Sequence, residues 1–223
     1  MWLELDHLFI CVQRDAPEAE RLAWFGLLEG RRRKHKGQGT ANVCFFFRNA
    51  MLELIWVCDE EEVRSPLVRP TRLWERWRWR ETACCPFGVC FRPAGESRQP
   101  LPFSTWAYKP PYIPEGMSIP IATNSERCHE PLIFVSTPGR RPDRFPEGQR
   151  PPLEHAVGYQ EITDVRVVLP LRDSLSPELR KIQELGLISV LAGDEYRMEI
   201  CFDEGKARQE APFVPELPLT FRW

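Results

Sequence analysis

The first sixty residues place short apolar strand patterns around one amphipathic helix, and this order of elements limits the folds open to the chain. Residues 3–12 carry apolar side chains on both faces, which predicts a strand covered on both sides. An N-cap followed by an early proline predicts a helix over 16–28. Two further strands follow at 40–48 and 50–57, and the basic segment RRRKHKG before them predicts an exposed edge strand. The expected order is therefore βαβββ.

Ionisable side chains interrupt two of these apolar strands. Asp6 and His7 lie within the first strand, and Glu53 lies within the strand at 50–57. A buried carboxylate without a partner is costly or acquires a raised pKa, so Glu53 needs a cation, a hydrogen-bond network or a ligand. Because alternation places His7 and Glu53 on apolar faces of neighbouring strands, we expect the two side chains to meet.

The last seventy residues resemble the first sixty in their order of elements. LDHLFICV aligns with TDVRVVLP through Asp6 and Asp164, and LEL at 52–54 aligns with MEI at 198–200. Such self-similarity predicts that one supersecondary unit recurs along the chain. We expect four segments packed as one globular unit. They are a first βαβββ module at 1–58, a helical connector at 59–85, a degenerate second module with a proline-rich wrap at 86–150, and a partial C-terminal module at 151–223.

Charge and composition disfavour two classes of partner. The chain contains 30 Lys and Arg against 32 Asp and Glu, so no long-range field attracts nucleic acid or an anionic membrane. The run RLWERWRWR suggests base stacking by an RNA-associated or scaffolding protein that uses residues 64–80. Trp74 and Trp77 are, however, spaced to share one buried helix face, so we expect no nucleic acid. No run of about 18 apolar residues occurs, so we expect no membrane partner.

The eight cysteines lie mostly within apolar runs such as CFFF and EICF, where cysteine behaves as a small buried hydrophobe. Cys84, Cys85 and Cys90 lack the paired CxxC spacing of a zinc site. The first strand begins almost at Met1, so we expect no signal peptide. Together these features predict free thiols and a cytoplasmic location.

Four features of the sequence occur together: a strand with Asp-His, an amphipathic helix, the GQGTAN segment at 37–42 and the LEL strand. With these features the chain resembles the vicinal oxygen chelate superfamily, in its glyoxalase-like branch. The resemblance covers nearly the whole chain, at 1–58, about 86–137 and 160–203. It implies an α+β fold in which βαβββ modules form a curled mixed-sheet cup, with an additional partial C-terminal module.

This resemblance also implies a metal site, because such proteins hold a divalent metal between the first strand and the last strand of each contributing module. The matching positions are His7, Glu53 and Glu199, and the metal would be Zn, Mn, Ni or Fe. Glu53 or Glu199 would then act as the catalytic base. The fourth position falls on Val165, which cannot bind a metal. No organic cofactor is expected. Each of the remaining histidines is typical of a loop or surface position; they are His35, His129 and His155.

The candidate substrate-binding residues are Asn42, Phe46, Trp106 and Tyr108, which would form a wall against an apolar or aromatic molecule. Core packing is the alternative for these four side chains. The predicted function is a glyoxalase-like protein that binds a small organic molecule in a cup, with metal-assisted lyase, isomerase or transferase-type chemistry.

The alternative function is that of a non-catalytic protein of the same fold that sequesters or senses a small molecule. Val165 at the fourth ligand position favours this alternative. The chain would act as a monomer or a homodimer, and the repeated modules favour closure of the cup within one chain.

Overall fold

The computed structural model describes residues 2–95, 99–136, 139–170 and 173–223, in which two mixed β-sheets and short helices confirm the predicted α+β class. The strands of the first sheet are β1 (Leu3–Cys11), β2 (Arg32–His35), β3 (Thr40–Phe46), β4 (Met51–Val57), β5 (Phe87–Pro93), β6 (Thr105–Tyr108), β7 (Ile119–Ala122) and β8 (Leu132–Val135). Those of the second sheet are β9 (Ile162–Leu169), β10 (Ser189–Ala192), β11 (Arg197–Phe202), β12 (Glu210–Pro212) and β13 (Leu219–Arg222). The α-helices are α1 (Ala19–Trp24), α2 (Glu60–Val63), α3 (Leu73–Trp77), α4 (Trp79–Thr82) and α5 (Pro177–Glu184).

The first sheet consists of two halves with the same strand order. Its strands run β2-β3-β4-β1-β5-β8-β7-β6. In one half β1 pairs in parallel with β4, and in the other β5 pairs in parallel with β8. The remaining pairs within each half are antiparallel, and the antiparallel pair of β1 with β5 joins the halves. The recurring unit therefore occupies residues 3–57 and 87–135, and the basic segment forms the edge strand β2 as expected.

The second sheet corrects the alignment of the chain's two ends. Its order is β10-β9-β11-β13-β12. The strand after the helix, β10, pairs directly with β9 in parallel, and β11 pairs with β9 in antiparallel orientation. In the first module the last strand, β4, is parallel to β1. The alignment of LEL with MEI is therefore wrong, because short apolar alternation looks the same in a strand of either direction.

The two sheets pack against each other through aromatic rings on the side of the first sheet that faces away from its concave surface. Phe47 of the first sheet lies 4.7 Å, centroid to centroid, from Phe202 of β11. Phe202 in turn stacks on Tyr159 at 4.5 Å and meets Phe221 edge-on at 5.0 Å. Burial of each such ring contributes on the order of 1.5–3 kcal/mol. This shared core leaves the other surface of the first sheet free to form a cavity.

The connector between the two halves is anchored by Arg76, whose side chain is fully buried. Its Nη1 donates to the carbonyl oxygens of Cys85, at 3.1 Å, and Glu130, at 2.6 Å. Trp77 also ties the connector to the sheet, since its Nε1 donates to the carbonyl of Val12 at 2.8 Å. Trp74 and Trp77 lie side by side, 5.5 Å apart, but both are half-buried rather than buried, and the fully buried side chain between them is that of Arg76.

A disulfide joins Cys84 to Cys128, so the prediction of free thiols is wrong for these two residues. They are separated by 44 positions in sequence, and nothing in that spacing indicates a contact. The other six cysteines are free and mostly buried. None of the helices within the described ranges is long and apolar enough to cross a membrane.

Candidate functional site

The concave surface of the first sheet encloses a cavity of about 620 Å³, here called the cup. Alternate residues of the central strands point into it, because side chains of a strand alternate between its two faces. Much of its lining is apolar and partly aromatic; these side chains, here called the apolar wall, are Phe9, Phe46, Ile55, Ile121, Leu132 and Phe134. A cavity of this size accommodates a small organic molecule.

Three ionisable groups meet at the floor of the cup. Asp6 Oδ1 lies 2.7 Å from His7 Nδ1, and His7 Nε2 lies 3.8 Å from Glu53 Oε2. The other Glu53 oxygen accepts a hydrogen bond from Asn42 Nδ2 at 2.5 Å. The hydrogen bond that Nδ1 donates to Asp6 fixes the imidazole ring, so that Nε2 is directed toward Glu53. Glu53 is only 5 % exposed, and the structure brings it together with His7.

Cys90 lies directly opposite His7 across the pair of β1 with β5. The ligating atoms of Asp6, His7 and Cys90 all lie within 4.8 Å of one another. Burial alone would lower the pKa of His7, but Cys90 and the hydrogen bond that His7 donates to Asp6 outweigh it and raise that pKa well above its usual value. Burial raises the pKa of the Cys90 thiol to about 11, with His7 lowering it in part.

A second polar network closes one side of the cup. The hydroxyl groups of Tyr108 and Tyr112 both donate to Gln38 Oε1 at 3.1 Å. Gln38 Nε2 donates to Thr40 Oγ1 at 2.7 Å, and His35 Nδ1 lies 2.9 Å from the same oxygen. Burial raises the pKa of both tyrosines, so they remain hydrogen-bond donors at neutral pH. The proline-rich segment at 109–117 thus covers the cup through Tyr112.

Glu199 does not lie in the cup. It belongs to β11 of the second sheet, where its Oε2 lies 3.0 Å from Arg222 Nη1 and its Oε1 lies 3.3 Å from Arg197 Nε. Val165 also belongs to the second sheet, where it is buried in the core. The expected set of His7, Glu53 and Glu199 is therefore not assembled, because the chain's ends build different sheets.

Two further lining residues come from the second half of the first sheet. Cys90 on β5 lies directly opposite His7 on β1. Ser136 follows β8, which pairs in parallel with β5, and it also lines the cup. The strand pattern at 86–93 already placed Cys90 in the second module, but only the strand pairing shows that it faces His7.

Of the predicted substrate-binding residues, three line the cup and one does not. Asn42, Phe46 and Tyr108 are lining residues. Among the described side chains, Trp106 lies outside the lining, and its Nε1 donates to Ser125 Oγ at 3.1 Å. Its ring meets Tyr108 at 5.9 Å, so it supports the wall from behind.

The remaining histidines have three different roles. His35 is on β2 and lines the cup, contrary to a loop or surface assignment. His155 is buried; it accepts a hydrogen bond from the Leu28 amide at Nδ1 and contacts the Phe46 carbonyl with Nε2, each at 2.9 Å. Burial lowers the pKa of His155, which keeps this structural imidazole neutral. His129 is partly exposed at a loop and bonds the Ala83 carbonyl.

Comparison with known proteins shows similarity at the level of fold. No family model and no curated protein matches the chain. A hypothetical protein from Staphylococcus aureus aligns with a TM-score of 0.53 and 11% identity, over 99% of both chains. At this identity the similarity shows a shared fold and nothing about activity.

Two epimerase structures align less well. Methylmalonyl-CoA epimerase in complex with methylmalonyl-CoA and NH4+ gives a TM-score of 0.37 at 15% identity, covering 60% of this chain and 94% of that one. The Streptomyces coelicolor methylmalonyl-CoA epimerase, in complex with 2-nitronate-propionyl-CoA, gives 0.36 at 14% identity, covering 60% and 96%. TM-scores this low carry no inference about chemistry.

Proposed function

We propose that the chain is a cup protein of the vicinal oxygen chelate type, which binds a small organic molecule between its apolar wall and the floor of His7 and Glu53. The observation that carries this proposal is the 620 Å³ cavity with one imidazole and one carboxylate 3.8 Å apart at its floor. A ligand oxygen or hydroxyl group would bind at the floor, and the ligand's apolar body would contact the wall. The matched halves of the first sheet support the family assignment.

The floor also fits a divalent metal. Asp6, His7 and Cys90 would supply oxygen, nitrogen and sulfur ligands, because these ligating atoms all lie within 4.8 Å of one another. A donor set that includes a thiolate favours Zn²⁺ over Mn²⁺. When bound, such a metal would act as a Lewis acid on a substrate carbonyl or enediolate oxygen. Glu53 is the group placed to move a proton at the substrate, as in a lyase or isomerase.

A non-catalytic binding protein is the second candidate, and the hydrogen bonding of the floor favours it. Glu53 already accepts from Asn42 and faces His7, while His7 is bonded to Asp6. These groups satisfy one another without a cation, so the same cup is suited to sequester or sense a small molecule.

A neutral fluorescent probe tests binding in the cup. We expect N-phenyl-1-naphthylamine to bind the unaltered chain, because its aromatic body matches the apolar wall. Met51 lines the cup from a half-buried position, so Met51→Trp would fill part of the cavity. The substitution is expected to weaken probe binding by about tenfold, as measured by fluorescence titration.

Leu191→Trp is the matched control, because Leu191 is an exposed residue of the second sheet. This variant should bind the probe with unchanged affinity. Equal affinity of the Met51→Trp variant and the unaltered chain would place the probe elsewhere and contradict the proposed function.

A further inference from the structure

The arginines of the basic edge segment have different partners on the two sides of the strand. Arg32 points away from the cup, with its Nε 2.7 Å from Glu29 Oε1 and its Nη1 donating to the Asp15 carbonyl. Arg31 and Arg33, on either side of it, line the cup instead. This is the alternation expected of a strand. Edge protection accounts for a charged strand, but it does not require the two sides to differ in this way.

A third arginine, which is not part of the edge segment, also lines the cup. Arg140 lines the cavity, and its guanidinium lies 5.9 Å from the ring of Phe145, another lining residue. We call Arg31, Arg33 and Arg140 the arginine rim; all three are exposed. Within the part of the chain that the structure describes, none of the three forms an ion pair, whereas Arg32 does. The rim therefore carries positive charges that no described carboxylate compensates.

The carboxylates that line the cup are engaged by groups other than the rim arginines. Asp6 and Glu53 are the acidic lining residues among those described. Asp6 is held by His7 and by Arg92, whose Nη1 is 3.3 Å from Asp6 Oδ2. Glu53 is held by Asn42 and faces His7. Because these carboxylates are engaged, they do not draw the rim arginines inward, and the guanidinium groups remain available to a ligand.

We propose that the molecule bound in the cup carries an oxyanion, a carboxylate or a phosphate, which the arginine rim binds while the apolar body extends toward the floor. This inference rests on the proposed function, since it names the class of ligand for the same cup. Guanidinium groups suit this role because their planar N–H donors match the geometry of carboxylate and phosphate oxygens. The ligand is thus an amphipathic organic anion rather than a neutral aromatic compound.

A pair of probes that differ in one anionic group tests the inference. The probe 8-anilinonaphthalene-1-sulfonate has nearly the same aromatic body as N-phenyl-1-naphthylamine but carries a sulfonate. We expect the double variant Arg31→Gln and Arg33→Gln to bind the sulfonate probe about tenfold more weakly. Its affinity for the neutral probe should stay unchanged, because the apolar wall is intact. Both affinities are measured by fluorescence titration at low salt, where screening is weakest.

Arg32→Gln is the matched control, since it removes the same charge from the same strand on the side away from the cup. It should leave the affinity for both probes unchanged. An unchanged affinity of the double variant for the sulfonate probe, or an equal loss for both probes, would overturn the inference. Failure of both probes to bind the unaltered chain would instead contradict the proposed function.

Competition then identifies the anion. We expect 3-phenylpropanoate or phenyl phosphate to displace the sulfonate probe from the unaltered chain, and the stronger competitor distinguishes a carboxylate from a phosphate ligand. The neutral 3-phenylpropanamide should displace it far less. Equal displacement by the amide and the two anions would show that the rim does not recognise charge.

Discussion

Replacing Arg76 by methionine is expected to lower the free energy of unfolding by about 3 kcal/mol. The guanidinium is fully buried and donates to the carbonyl oxygens of Cys85 and Glu130, two segments far apart in sequence. Methionine fills much of the space but donates nothing, and each buried carbonyl left without a donor costs about 1–3 kcal/mol. Urea unfolding followed by tryptophan fluorescence measures the change, since the chain has 8 tryptophans.

Arg78→Met provides the control for Arg76→Met. Arg78 lies two positions away, and its side chain forms an exposed ion pair with Glu81. Exposed pairs contribute about 0–1 kcal/mol, so this variant should unfold near the urea concentration of the unaltered chain. Equal destabilisation by both substitutions would show that the buried hydrogen bonds of Arg76 do not hold the connector.

Local periodicity was sufficient to predict much of the first module. The segment at 3–12 contains β1, the segment at 50–57 contains β4, and the helix predicted at 16–28 is found as Ala19–Trp24. These elements depend on side-chain alternation and on helix-start signals that lie within a few residues of each other. The pairing of His7 with Glu53 follows from the same alternation once the two strands are neighbours.

The rest of the site depends on strand direction and pairing, which short apolar segments do not encode. Glu199 matched Glu53 in sequence but is neutralised by Arg197 and Arg222 in another sheet. Cys90 looked like a core cysteine, and only its position opposite His7 brings it to the floor. Gln38 and Tyr112 were missed because their hydrogen bond joins a turn to a proline-rich segment that has no periodic pattern.

In the proposed complex, the floor and the rim of the cup contact different groups of the ligand. Polar groups at the floor are mutually bonded and buried, which preorganises them for one small group of the ligand. The rim is exposed and unpaired among described residues, so it suits the first encounter with a charged ligand from solvent. Metal-assisted chemistry and simple binding therefore differ in whether the floor holds a metal ion. In both cases the rim would bind the charged group of the ligand.

Zinc binding is the property in which the two candidate functions differ most. If the cup holds a metal, His7→Ala is expected to weaken Zn²⁺ binding by more than the roughly 10–100-fold cost of losing an outer-shell partner. The physical reason is that the substitution removes the nitrogen ligand and leaves Asp6 with a thiol that must release its proton to bind the metal. Isothermal titration of metal-free protein with Zn²⁺ against a competing chelator measures the affinity, and Cys90→Ser should weaken it in the same direction.

Glu199→Gln is the variant that decides which residues form the metal site. Since Glu199 is held by two arginines in the second sheet, its substitution should leave Zn²⁺ affinity unchanged. A loss of affinity in this variant would instead support the set of ligands implied by the family resemblance. If the unaltered chain fails to bind Zn²⁺ and still binds the neutral probe, the floor acts through hydrogen bonds alone, and the cup is a binding site without a metal.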